Sequence, residues 1–297
     1  MKRADIKVGF SCNNFCEFCV QGDKRFLFKP RSLEKIKEIT KHEYDNGCRE
    51  AVFTGGEPTV HPKLVEAVSY ASSIGYKEIQ IQSNGTNFDD INYCKSLINA
   101  GVTQFGPSIH GANPSTHDDL VKTKGAWKRV VKGVHNLKRL RQAIIFNIVV
   151  TKKNYRELPK LSKILCELGV SQLQFAFVHI LGSADKNKVK IVPKKTDVMP
   201  YIKKGIDIGN LYKIPVFTEA IPYCLMQGYE YAIAENIMPE TTVIDAEHTT
   251  ESYKDYRVAE GKVKVEKCKT CKYFKYCEGP WKEYPEIYGW DEFEPIK

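Results

Sequence analysis

The chain has 297 residues, 42% of them hydrophobic, with ten cysteines and a net charge of +9, and its mean hydropathy is −0.39. This composition is that of a globular protein with one main core and a small appendage, not of a disordered or fibrous chain. No apolar run approaches the ~18 residues of a membrane span, and the start, Met1-Lys-Arg-Ala-Asp-Ile, has no apolar stretch of the signal-peptide kind. The expected location is the cytoplasm, with no membrane partner, so the ten cysteines are not read as a disulfide scaffold.

Ile6-Lys-Val-Gly-Phe10 reads as a first strand. Directly after it come Cys12, Cys16 and Cys19, spaced C-x3-C-x2-C, on the loop at the strand's C-terminal end. Three thiolates so spaced can wrap three corners of a cubic iron–sulfur cluster. A [4Fe–4S] cluster takes one thiolate per iron, so one iron is left open for chemistry. A structural zinc is the competing reading, but zinc sites usually have four ligands in paired C-x2-4-C units.

Ser32 then caps a helix that ends near Asn46-Gly47. A second strand passes through Val52 into Gly55-Gly56-Glu57-Pro58. Leu64, Val65, Ala67, Val68 and Ala71 mark a helix closed by Gly75. Ile79-Gln-Ile81 is a third strand, followed by Ser83-Asn84-Gly85. Residues 89–100 read as a helix and 104–109 as a fourth strand.

Between residues 122 and 141 there are eight basic residues and no acidic one. Trp127, Val130, Val131, Val134, Leu137 and Leu140 form one apolar helical stripe there, with the basic residues mostly off it. This is a solvated outer face or a surface for an anionic partner such as RNA. The stripe absorbs Trp127, so no aromatic interleaving for base stacking remains. Residues 143–150 form the strongest strand pattern, 158–168 a helix, 172–178 a sixth strand and 198–211 a further helix. Pro215-Val-Phe-Thr-Glu is a possible additional strand.

Six strand–helix units in alternation predict an α/β fold with a parallel sheet and right-handed crossovers. Neither G-x-G-x-x-G nor G-x-x-x-x-G-K-[ST] is present, which argues against nucleotide-binding sheets. In parallel sheets the functional loops gather at the C-terminal strand ends. There lie the three cysteines, Gly-Gly-Glu-Pro, Ser83, Asn84, Ser108, His110 and His179, with Asn147 within the fifth strand. Polar residues at strand ends often only cap turns, and His110 and His179 suit a structural role as well as a place at the mouth. No residue stands out as a catalytic acid or base.

Beyond Cys224 the periodicity fades. Cys268, Cys271 and Cys277 follow, spaced C-x2-C-x5-C, and Cys224 is the nearest candidate for a fourth ligand. Four thiolates would close a second cluster with no open iron; a zinc knot is the alternative. Cys48, Cys94 and Cys166 sit in or beside helices and read as small buried hydrophobes. Residues 278–297 carry six acidic residues, two lysines and several aromatics, too aromatic a tail to be disordered. It is expected to pack back onto the main body. The division is residues 1–212 as the core and 213–297 as a cysteine-rich C-terminal domain.

C-x3-C-x2-C with Phe18 before its last cysteine, followed by a strand ending in Gly55-Gly56-Glu57-Pro58, resembles the radical S-adenosylmethionine (radical SAM) superfamily. The resemblance implies a partial (β/α)6 barrel. It implies a [4Fe–4S] cluster on Cys12, Cys16 and Cys19 whose open iron binds SAM, and reductive cleavage to a 5′-deoxyadenosyl radical that abstracts hydrogen from a substrate. It also implies that Gly55, Gly56, Glu57 and Pro58 hold the SAM amino group, that Phe18 meets the adenine, and that Ser83, Asn84, Ser108 and Asn147 serve its ribose and carboxylate. The C-terminal cysteines are similar to the SPASM and twitch domains of that superfamily, which carry auxiliary [4Fe–4S] clusters. Trp281 stands where the longer SPASM pattern has another cysteine. A peptide or protein substrate and an external flavodoxin- or ferredoxin-like electron donor are the implied partners; a small metabolite or a nucleic acid is the alternative substrate.

Overall fold

The computed structural model describes residues 1–297. Nine strands make one sheet: β1 (Lys2–Lys7), β2 (Cys48–Thr54), β3 (Glu78–Ser83), β4 (Gln104–Pro107), β5 (Ala143–Val150), β6 (Gln172–Phe177), β7 (Val216–Glu219), β8 (Thr241–Ile244) and β9 (Thr249–Thr250). Their order is β7-β6-β5-β4-β3-β2-β1-β8-β9. All pairs are parallel except β8 with β9. The sheet does not close on itself, so the chain forms the expected partial barrel. Helices Leu33–Asp45, Leu64–Ser73, Ile91–Ala100, Ala126–Arg139, Leu158–Glu167 and Lys195–Tyr212 connect successive strands.

The first strand lies four residues earlier than its apolar run suggests. Lys2, Arg3 and Asp5 are charged, yet they belong to β1. Period-2 alternation explains this. Ala4 and Ile6 are fully buried under the helices, and their register partners Ala51 and Phe53 point the same way. Ile79, Phe105, Ile144, Phe146, Phe175 and Phe177 continue that apolar outer layer. Each such side chain contributes about 1.5–3 kcal/mol of burial free energy. The opposite, inward face is polar: Arg3, Asp5, Gln80, Gln104, Asn147, Gln174 and Glu219 lie on it.

β7 and β8 lie beyond residue 212 and extend the sheet at either side of the six predicted strands. β8 pairs with β1, and its Thr-Thr-Val-Ile is β-branched throughout, a strand signal too short to stand out. The aromatic tail packs back as expected. Trp281, Tyr284 and Phe293 are buried, and Tyr284 accepts a hydrogen bond from Lys195 N at 2.7 Å. Cys48, Cys94 and Cys166 are buried in the core.

Candidate active site

The cysteine loop is pinned from three directions. Phe15 N and Glu17 N donate to Val121 O and Leu120 O at 2.9 and 3.0 Å. Ser183 N donates to Cys19 O at 2.8 Å, which brings in the segment after β6. The Arg25 guanidinium donates to Asn14 O at 2.7 Å. Gly182 makes the second contact possible: its φ is +59°, and a Cβ there would overlap Cys19 O and Val20 O. Sequence reasoning did not find Gly182, because nothing in the sequence marks which distant loop reaches the cysteines.

Gly55-Gly56 is the other support. Gly55 has φ +131°, and a Cβ on it would fall on Gly9 O; a Cβ on Gly56 would fall on Phe10 O. Gly56 N donates to Gly9 O and Glu57 N to Ser11 O, both at 2.9 Å. The glycines thus let the turn after β2 lie against the strand exit that leads into Cys12.

Glu57 is 2% exposed. Its Oε1 accepts from Thr59 N at 3.0 Å, Thr59 Oγ1 at 2.5 Å and Ser83 Oγ at 2.7 Å; its Oε2 accepts from Asn84 N at 2.6 Å. Burial pushes its carboxyl pKa up, against the pull of these hydrogen bonds. This carboxylate is committed to neighbouring loops, which places it as an organiser of the mouth. Asn84 Nδ2 in turn donates to Asn13 Oδ1 at 2.6 Å, inside the cysteine loop.

Ser108 bridges Asn147 between β4 and β5, and Asn147 Oδ1 is buried with no partner. An orphaned buried acceptor on the inward face of a strand is a place for a ligand donor. Phe18 packs edge-on against the His110 ring at 4.6 Å. His110 Nδ1 accepts from Val149 N at 3.1 Å, and the ring stacks at 5.8 Å on His117, whose Nδ1 accepts from His110 N. Burial lowers the pKa of both histidines, His117 to about 4. His110 therefore braces Phe18 as a neutral ring. His179 stacks at 3.7 Å on Trp281.

The thiols are all free. Burial raises the pKa of Cys12 and Cys16, and the crowding of Cys12, Cys16 and Cys19 adds to it. Such thiols ionise readily only with a bound cation. In the C-terminal segment Cys224, Cys268, Cys271 and Cys277 line one cavity with Phe274, Trp290 and several prolines. Burial, then its three cysteine neighbours, push Cys224 up to about 12. Both thiol sets fit iron–sulfur clusters: three donors with a polar mouth, and four donors in an apolar pocket.

The family model described as the radical SAM superfamily matches residues 6–165, more than half of the chain. The chain belongs to the radical SAM superfamily. It is accordingly an enzyme that uses a [4Fe–4S] cluster and SAM, and its C-terminal cysteine-rich region fits an auxiliary cluster. Among curated relatives, a GTP 3′,8-cyclase of Aquifex aeolicus is 26% identical over 243 residues, 80% of this chain and 75% of that one. A probable GTP 3′,8-cyclase of Saccharolobus islandicus is 28% identical over 216 residues, 70% of this chain. The chain spans 66% of that relative's length, just under two thirds. Among solved structures, Streptococcus suis SuiB bound to the precursor peptide SuiA superposes with a TM-score of 0.67 at 15% identity, over 99% of this chain and 75% of SuiB. Native anSMEcpe, with bound AdoMet and Kp18Cys peptide, gives 0.69 at 18% identity, over 98% and 96% of the two chains. These two likenesses are of fold. No helix of this radical SAM chain is long and apolar enough to cross a membrane.

The basic run of residues 122–141 is in part paired locally. Lys122 meets Glu17 at 2.9 Å and Asp119 at 2.7 Å, and Arg129 meets Asp89 at 2.9 Å. Such exposed pairs add little stability, but they reduce the charge left for an anionic partner.

Proposed function

We propose that this radical SAM enzyme abstracts a hydrogen atom from a peptide or protein substrate, with Cys12, Cys16 and Cys19 holding the SAM-binding cluster. When bound, that cluster and SAM supply a carbon-centred radical able to take hydrogen from an unactivated C–H bond. The chain's own residues organise the site. The Gly55-Gly56 turn and Glu57 fix the mouth, Phe18 gives an apolar wall, and Asn84, Ser108 and Asn147 offer polar contacts for SAM. Cys224, Cys268, Cys271 and Cys277 would hold the auxiliary cluster, which would supply a one-electron acceptor. An external flavodoxin- or ferredoxin-like donor supplies the first electron.

The carrying observation is that the fold likeness to two peptide-bound enzymes runs through 98–99% of this chain, including the C-terminal cysteine segment. The second reading, cyclisation of GTP, is favoured by the names of the curated relatives. The test uses anaerobically reconstituted enzyme with dithionite and SAM. Deoxyadenosine formation coupled to a mass change in a peptide encoded beside the gene supports the first reading. Conversion of GTP under the same conditions, with peptides unchanged, replaces it with the second.

A further inference from the structure

The inward face of the sheet carries more charge than the mouth chemistry requires. At the β1 side each cation has an acidic neighbour: Arg3 with Glu50 at 3.0 Å, Lys7 with Asp5 at 3.7 Å. Across the barrel the C-terminal segment adds two more cations, Arg257 and Lys262, whose side chains are 3% and 1% exposed. Both are spent on carboxylates. Arg257 holds Glu278 by two hydrogen bonds of 2.9 and 2.8 Å. Lys262 lies 2.7 Å from Glu235 and 3.0 Å from Glu278.

Glu219, at the end of β7, is the carboxylate left over. Its one hydrogen bond is from Gln174 Nε2 at 2.7 Å, and it makes no ion pair. Burial, then nearby Glu235, push its carboxyl pKa up. Glu235 is itself incomplete: its side chain is 7% exposed, and its Oε2 is buried without a partner. Trp281 Nε1, beside Lys262, is a buried donor with no acceptor. One buried acceptor, Glu235 Oε2 near Glu219, and one buried donor, Trp281 Nε1, therefore stand without a partner. Each such atom calls for a partner, which a polar ligand group or an ordered water supplies.

We propose that Glu219, seconded by Glu235, is the substrate-recognition site, and that it takes a cationic N–H group, the ammonium or guanidinium of a basic side chain. This rests on the peptide reading above and narrows it. Trp281 Nε1 is the matching donor for a peptide carbonyl. The same arrangement disfavours a nucleoside triphosphate, which brings negative charge on every phosphate toward Glu219 and Glu235, while Arg257 and Lys262 are already paired with carboxylates.

The test is binding to the reconstituted, SAM-loaded enzyme, with three probes: Nα-acetylarginine methylamide, agmatine and GTP. The blocked arginine is expected to bind, with affinity falling at least tenfold in Glu219→Gln and by less in Glu219→Asp, which keeps the charge. Iron content and thermal midpoint of each variant report folding; if Glu219→Gln fails to fold, Gln174→Ala, which frees the carboxylate from its one partner, is read in its place. Agmatine binding as well as the blocked arginine would keep the cation site and remove support from the peptide reading. GTP binding more tightly than either cation, or cation binding indifferent to both Glu219 variants, overturns the proposal.

Discussion

Glu57 accepts a hydrogen bond from Ser83 Oγ at 2.7 Å, so a single carboxylate joins the turn after β2 to the turn after β3. With Asn84 N on its other oxygen, it fixes both loops that flank the cysteines. Glu57→Ala leaves four buried donor contacts unanswered. The expected loss is on the order of 3 kcal/mol, read from the denaturation midpoint, together with at least tenfold weaker SAM binding. Unchanged values of both would remove Glu57 from this role.

Gly56→Ala places a methyl group on Phe10 O. Relief requires the strand exit toward Cys12 to move, at a cost of about 1–3 kcal/mol for such overpacking. Iron bound per chain should drop toward half, with the auxiliary cluster retained. A variant with full iron loading would show that the turn can yield without disturbing the cysteine loop.

The two thiol sets should be separable by iron analysis. The reconstituted protein is expected to hold about eight irons per chain as two four-iron clusters. Cys224→Ala should leave about four and still release deoxyadenosine from SAM. Cys12→Ala should also leave about four, but release none. Equal iron in Cys224→Ala and the parent protein would exclude Cys224 as a ligand.

His117 is buried and neutral, with burial lowering its pKa to about 4 from an ordinary value of 6.5. The unfolded chain therefore binds a proton that the folded chain does not between these values, and stability falls as the pH drops through that window. Between pH 7 and pH 5 this one group should cost about 2 kcal/mol. His117→Gln should be flatter over the same range by about that amount. An identical slope in both proteins would assign the acid sensitivity elsewhere.

Lys262 is a buried cation shared by Glu235 and Glu278. Lys262→Met leaves a carboxylate uncompensated and should destabilise the protein by about 3–5 kcal/mol. Adding Glu235→Gln should recover part of that loss, measured as a double-mutant cycle. No recovery would mean that Arg257 alone neutralises the cluster.

Local chemistry was legible without coordinates where spacing and chemistry coincide. Cys12, Cys16, Cys19 and Gly55-Gly56-Glu57-Pro58 announce the cofactor class, and alternating strand and helix periods announce the open parallel sheet. β1 was displaced and β8 missed, since Arg3 and Asp5 hide a strand whose charged side faces inward, and four residues give too short a period. Charged residues on an inner face look like surface residues until a sheet curves around them.

The sequence by itself determined which atoms are present to bind iron and SAM, because thiol spacing and a glycine pair are properties of a few adjacent residues. Only the tertiary structure decided what those residues touch. It set Gly182 beneath Cys19, joined Glu57 to Ser83 and Asn84, and gathered Glu219, Glu235, Lys262 and Glu278 from distant segments. Pairing of buried charges depends on distances across the fold, and no local pattern encodes them.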